Sequence, residues 1–147
     1  MTELKYPDAE GLELLHKILV QKWIDKWKWW LHWYHWKRTI RDLESIIDFI
    51  KWDNYYPKFS DKLAHLMFSL NKNHIFNDGN KRISVYSAIS FMMLNILEED
   101  HLIEETLREL ENIASGVAND RVTSDELKII FEKFLLKFNS TKRLSNI

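Results

Sequence analysis

Hydrophobic residues along the 147-residue chain recur mainly at helical spacing. After Pro7 and Asp8, Leu12, Leu15, Leu19 and Trp23 follow an i, i+3, i+7, i+11 rhythm, which predicts a first helix with one buried stripe. Leu43, Ile46, Ile47 and Ile50 predict a second. Pro57 interrupts the pattern, and Ser60 is placed to accept a hydrogen bond from the opening amides of a third helix with the stripe Leu63, Met67 and Leu70. From about Asn80 to Leu97 the pattern changes. ISVYSAISFMMLNIL is apolar or small on nearly every side, as expected of a central helix surrounded by the others. A fifth helix is expected from about Glu104 to Ser115, ended by Gly116 in the left-handed conformation. Thr123 and Glu126 form a capping-box pattern ahead of a last helix with the stripe Leu127, Ile130, Phe131, Phe134 and Phe138. The polar stretch after Asn139 is expected to fray.

One stretch resists this reading. Six of the seven tryptophans lie between Trp23 and Trp36, within and just before KWKWWLHWYHWKR. As a helix, Trp23, Trp27, Trp30 and Tyr34 share a face while Trp29, Trp33 and Trp36 occupy another; as a strand, Trp27, Trp29 and Trp33 alternate with other residues. Both remain open. The segment reads as aromatic packing of an extended connection or as a hydrophobic interface with a partner or a second copy, ahead of membrane-surface or single-strand nucleic-acid binding.

Composition supports an all-α single domain. Three glycines and two prolines offer few of the turns that punctuate β folds, and 46% hydrophobic residues can fill one core. A formal net charge of -1 argues against nucleic acid as a default partner, although Lys22, Lys26, Lys28, Lys37 and Arg38 form a basic zone and 98–111 is acidic. The absence of cysteine excludes disulfides and thiolate metal sites. The opening MTELKYPDAEG lacks a secretory signal pattern, and the uncharged run Ile83 to Leu97 is shorter than the roughly 20 apolar residues of a membrane span. A soluble cytoplasmic protein is expected.

The concentrated chemistry is HIFNDGNKR, His74 to Arg82. If the chain turns at Gly79 and enters a helix at Asn80, the opening amides and the positive end of the helix dipole form a place for phosphate. Gly79 permits close approach, and Lys81 and Arg82 add positive charge. Asp78 is the natural ligand for the Mg²⁺ that accompanies a nucleotide polyphosphate. His74 is suited to accept a proton from a hydroxyl at neutral pH, and Phe76 to anchor the loop inward. Singly, each residue has an ordinary structural explanation. Together they do not, because cations at a helix N-terminus oppose the dipole unless an anion is expected.

His74, Phe76, Asp78, Gly79, Asn80, Lys81 and Arg82 resemble the signature of the Fic/Doc superfamily. The adenylylating Fic branch has His-Pro-Phe-x-Asp/Glu-Gly-Asn-Gly-Arg-x-x-Arg; here Ile75 replaces the proline, Lys81 the second glycine and Val85 the second arginine. That pattern resembles the Doc (death-on-curing) branch. LELLHKIL with His16, IRDLESII, DKLAHLMFSLNKN and IASGVANDRVTSDEL extend the resemblance from about Ala9 to Leu136.

The resemblance implies a Fic-type fold of about six helices around a central helix, with a small flap ahead of the motif; Tyr55, Tyr56 and Phe59 are candidates for that flap, or for buried aromatic packing. It implies His74 as general base, Asp78 as Mg²⁺ ligand, and Gly79, Asn80, Lys81 and Arg82 as the phosphate cradle. The Doc branch implies ATP as donor of its γ-phosphate, a threonine of elongation factor Tu as acceptor, and arrest of translation as the outcome. The alternatives are AMP transfer and a non-enzymatic, nucleotide-dependent binding module. Neither Glu10-Gly11, with Tyr6 four positions before the glutamate, nor Glu111-Asn112, with Leu107 there, matches the superfamily's inhibitory Ser/Thr-x-x-x-Glu-Gly/Asn. That absence fits the Doc arrangement, which implies a separate small antitoxin as partner, and equally a chain with no such regulation.

Overall fold

A computed structural model describes the backbone of residues 3–20, 29–76 and 79–145. Among the described residues there are six helices and no strand: α1 (Ala9–Val20), α2 (Trp29–Ile50), α3 (Phe59–Lys72), α4 (Asn80–Asn95), α5 (Asp100–Ala118) and α6 (Ser124–Ser145). The all-α expectation holds.

Local chemistry explains where α1 to α3 begin and end. Asp8 caps α1, its Oδ1 accepting from the Gly11 N–H at 2.6 Å. Leu12 is buried while Leu15 and Leu19 pack against the core; Trp23 lies outside the described residues. The tryptophan-rich stretch is helical from Trp29 onward and runs without a break into the Ile40–Ile50 half of α2. This corrects the reading of an extended connection for residues 29–36. Once the half carrying Ile40, Leu43, Ile47 and Ile50 is anchored in the core, each added helical residue gains one backbone bond. Residues 21–28, with Trp27, lie outside the description.

Lys62, only 1% exposed, secures the end of α2: its Nζ donates to the Ile50 carbonyl at 2.5 Å and pairs with Asp53 at 2.8 Å. A cation placed there meets both an orphan carbonyl and the negative end of the helix dipole. Helix α3 begins two residues earlier than the expected Ser60 cap requires. Lys58 takes the cap position, its N–H donating to Asp61 Oδ2 at 3.1 Å, and Ser60 is buried inside the helix.

Helix α4 is buried along most of its length, through Ile83, Val85, Ala88, Ile89, Phe91 and Met92. It packs against α1, α3 and α5, but α3 is as central, packing against α2, α4, α5 and α6. The helix expected at the centre is there, and α3 shares that position with it. Leu63, Met67 and Leu70 of α3 are all fully buried, each worth about 1.5–3 kcal/mol of transfer free energy.

Gly116 does not end α5. The helix continues to Ala118, and the left-handed residue is Asp120, with φ 61°. Arg121 N–H donates to the Gly116 carbonyl at 2.8 Å and Asp120 N–H to Val117 at 3.2 Å, a Schellman closure. A Cβ on Gly116 would meet Val122 Cγ2 at 2.8 Å, so the glycine serves close approach. Thr123 and Glu126 then form the expected capping box. Leu127, Phe131, Phe134 and Phe138 are buried, and the helix continues through the polar stretch to Ser145.

Candidate functional site

The HIFNDGNKR stretch is the turn between the two central helices. Helix α3 ends at Lys72, with Asn73 as its cap, and the next residue, His74, is left-handed at φ 49° and exposed. Glycine is the usual occupant of that conformation after a helix; histidine carries strain there. His74 is therefore held at the surface by the backbone of the turn.

Phe76 is buried at 8% exposure and belongs to the core, as expected of a loop anchor. Its ring stacks on His16 of α1, with centroids 3.7 Å apart and planes 15° apart. Both its main-chain groups are bound by one side chain. Phe76 N–H donates to Asn80 Oδ1 at 3.2 Å, and Asn80 Nδ2 donates to the Phe76 carbonyl at 2.7 Å. The Asn80 side chain thus braces the turn.

Gly79 caps α4 in the left-handed region, φ 80° and ψ 15°, where it has no side chain to satisfy the opening amides of the helix. No acidic residue occupies the first turn; Lys81 and Arg82 do, both exposed. One Arg82 nitrogen donates to the Leu19 carbonyl in the last turn of α1, at 3.1 Å, where the dipole of α1 favours a cation. A guanidinium has five N–H donors, so the fork can serve a second acceptor. Val85, one turn further on, is 1% exposed and lies in the core.

Asp78, expected to hold Mg²⁺, lies outside the described residues. Among the described residues no group of three or more His, Asp or Glu side chains could hold a metal, and no helix is long and apolar enough to cross a membrane.

Tyr55, Tyr56 and Phe59 do not join this site. They stand at the opposite end of α3, whose 14 residues separate them from His74 by about 21 Å at 1.5 Å per residue. Phe59 packs edge-on against Phe91, near the far end of α4, with centroids 4.8 Å apart. Tyr56 lies against His65 at 4.5 Å, and Tyr55, 67% exposed, against Trp52 at 5.9 Å. Burial, and then the Lys128 ammonium, hold the His65 imidazole below its usual pKa range. All three make aromatic contacts at that end of α3.

His16 enters the sequence reading only as part of the resemblance, with no role given to it, and the structure places it against Phe76. Its signal was its position, since Leu12, Leu15, His16 and Leu19 form an i, i+3, i+4, i+7 stripe with one polar ring in it.

A family model described as Fic/DOC family matches residues 6–92, a span that includes the whole of HIFNDGNKR. No curated protein and no solved structure matches the chain.

Proposed function

The chain belongs to the Fic/DOC family, and on that premise we propose that it transfers the γ-phosphate of ATP to a hydroxyl of a protein, in the manner of the Doc branch. A Fic-type nucleotide-transferring function follows from the family. The choice of phosphate over AMP is carried by Val85: the position of the second Fic arginine holds an aliphatic side chain packed in the core, unable to bind phosphate. Lys81, in place of the second glycine, adds bulk and charge beside the cradle.

The described cations and the opening of α4 suit a polyphosphate. Main-chain groups at the start of α4, Lys81, and the Arg82 donors not turned to Leu19 would hold its oxygens. Asp78 would hold Mg²⁺, which when bound neutralises phosphate charge. The target hydroxyl oxygen bonds to the γ-phosphorus as the bond from that phosphorus to the β,γ-bridging oxygen breaks. ADP leaves, and the hydroxyl proton passes to His74.

The resemblance to Doc supports a threonine of elongation factor Tu as acceptor, a cytoplasmic toxin that arrests translation as the physiological role, and a small antitoxin as its controlling partner. Mass spectrometry of purified elongation factor Tu after incubation with Mg·ATP tests the reading. Addition of phosphate is expected, with the rate falling about 10²- to 10⁴-fold in His74→Ala, the usual contribution of a general base. Addition of AMP, or equal modification by the variant, would overturn it.

A further inference from the structure

We propose that His16 is a positioning residue for the transfer proposed above, on which this inference rests: its ring is the plate that holds Phe76, and through Phe76 it sets where His74 and the opening turn of α4 stand. The two rings lie nearly parallel with centroids 3.7 Å apart, near the optimum for carbon contact and too close to admit water. Phe76 cannot shift alone. Its N–H and carbonyl are both bonded to the Asn80 side chain, so movement of the ring is passed to the first residue of α4. His74 is two residues before Phe76 and is fixed in the left-handed conformation, so it follows the same anchor.

Helix α1 meets the turn at a second point, where the Leu19 carbonyl accepts from Arg82 at 3.1 Å. His16 and Leu19 are three residues apart and share a face of α1. Helix α1 therefore touches both the anchor of the base and a cation of the proposed phosphate cradle. An aliphatic residue at position 16 would bury similar surface without presenting a flat face. The ring is what fixes the plane of Phe76.

The test compares the full chain with His16→Ala and His16→Phe. Hydrogen exchange is read at the Phe76 amide and, as a remote control, at the Leu127 amide of α6, which donates to Thr123 at 3.0 Å. In His16→Ala, exchange at Phe76 should rise at least about tenfold with Leu127 unchanged, since local opening is separable from global unfolding. The phosphate-transfer rate at saturating Mg·ATP should fall about tenfold, within the range that small misplacement of a catalytic group produces. His16→Phe, which keeps a flat ring, should stay within about twofold of the parent in both and keep the shape of the pH profile. Unchanged Phe76 exchange in His16→Ala overturns the proposal, as does equal acceleration at Phe76 and Leu127, which would mark a general structural role. Loss of transfer in His16→Phe with Phe76 still protected overturns it too, by assigning the work to the imidazole nitrogens. If the parent transfers no phosphate, the functional reading fails while the exchange comparison still decides whether His16 holds Phe76.

Discussion

Two helix-to-helix turns, α3 to α4 and α5 to α6, face the same physical problem and solve it in opposite ways. Each must satisfy the last carbonyls of one helix and the first amides of the next. The α5–α6 turn does so within itself: Schellman bonds close α5, the Thr123–Glu126 box opens α6, and Asp125 and Glu126 complement its dipole; Asp120 also pairs with Lys72 at the end of α3. In the α3–α4 turn the Asn80 side chain holds Phe76, and α4 opens with Gly79 at its cap and two cations in its first turn. Among the described residues, one turn is closed by caps and a capping box, and the other opens its helix beside two cations, where the dipole favours an anion.

Substitutions can break this contrast. The largest expected effect is at the anchor: Phe76→Ala should lower unfolding free energy by about 3–5 kcal/mol, measured by denaturant titration, because it empties a core position and removes the ring stacked on His16. A loss below about 1 kcal/mol would mean that the turn does not depend on its anchor. Next is the cap of the opposite turn, where Thr123→Ala should cost about 1 kcal/mol and leave transfer intact.

His74→Gly should do the reverse, raising stability by up to about 1 kcal/mol as left-handed strain is relieved while transfer is abolished. A stabilised but inactive variant is the sharpest expression of the difference between the two turns. The smallest effect is at the helix opening. Lys81→Glu should stabilise the nucleotide-free chain by about 0.3–1 kcal/mol, through the dipole of α4, and weaken Mg·ATP binding in calorimetry. Tighter binding would remove Lys81 from the cradle.

Much of this was legible in the sequence. Leu63, Met67 and Leu70, the stripe of α6 and the Thr123–Glu126 box depend on residues within a few positions of one another, and periodicity reports such relations directly. Phe76 was readable as an anchor because a lone aromatic among polar residues has one favourable place to go. Helix ends were less legible. Gly116 carries an ordinary stop signal, yet its use depends on Val122 packing against it, and Ser60 was displaced as cap by Lys58 with Asp61.

By itself, then, the sequence determined an all-helical chain and a motif whose residues suit phosphate, because both are written in short-range spacing. Only the tertiary structure decided that Tyr55, Tyr56 and Phe59 stand a helix length away from His74. It alone paired His16 with Phe76, turned Arg82 to Leu19 and committed the Asn80 side chain to the loop. Those contacts join residues from different helices or turn a side chain back on its own loop, and they exist only once packing has fixed how α1, α3 and α4 meet.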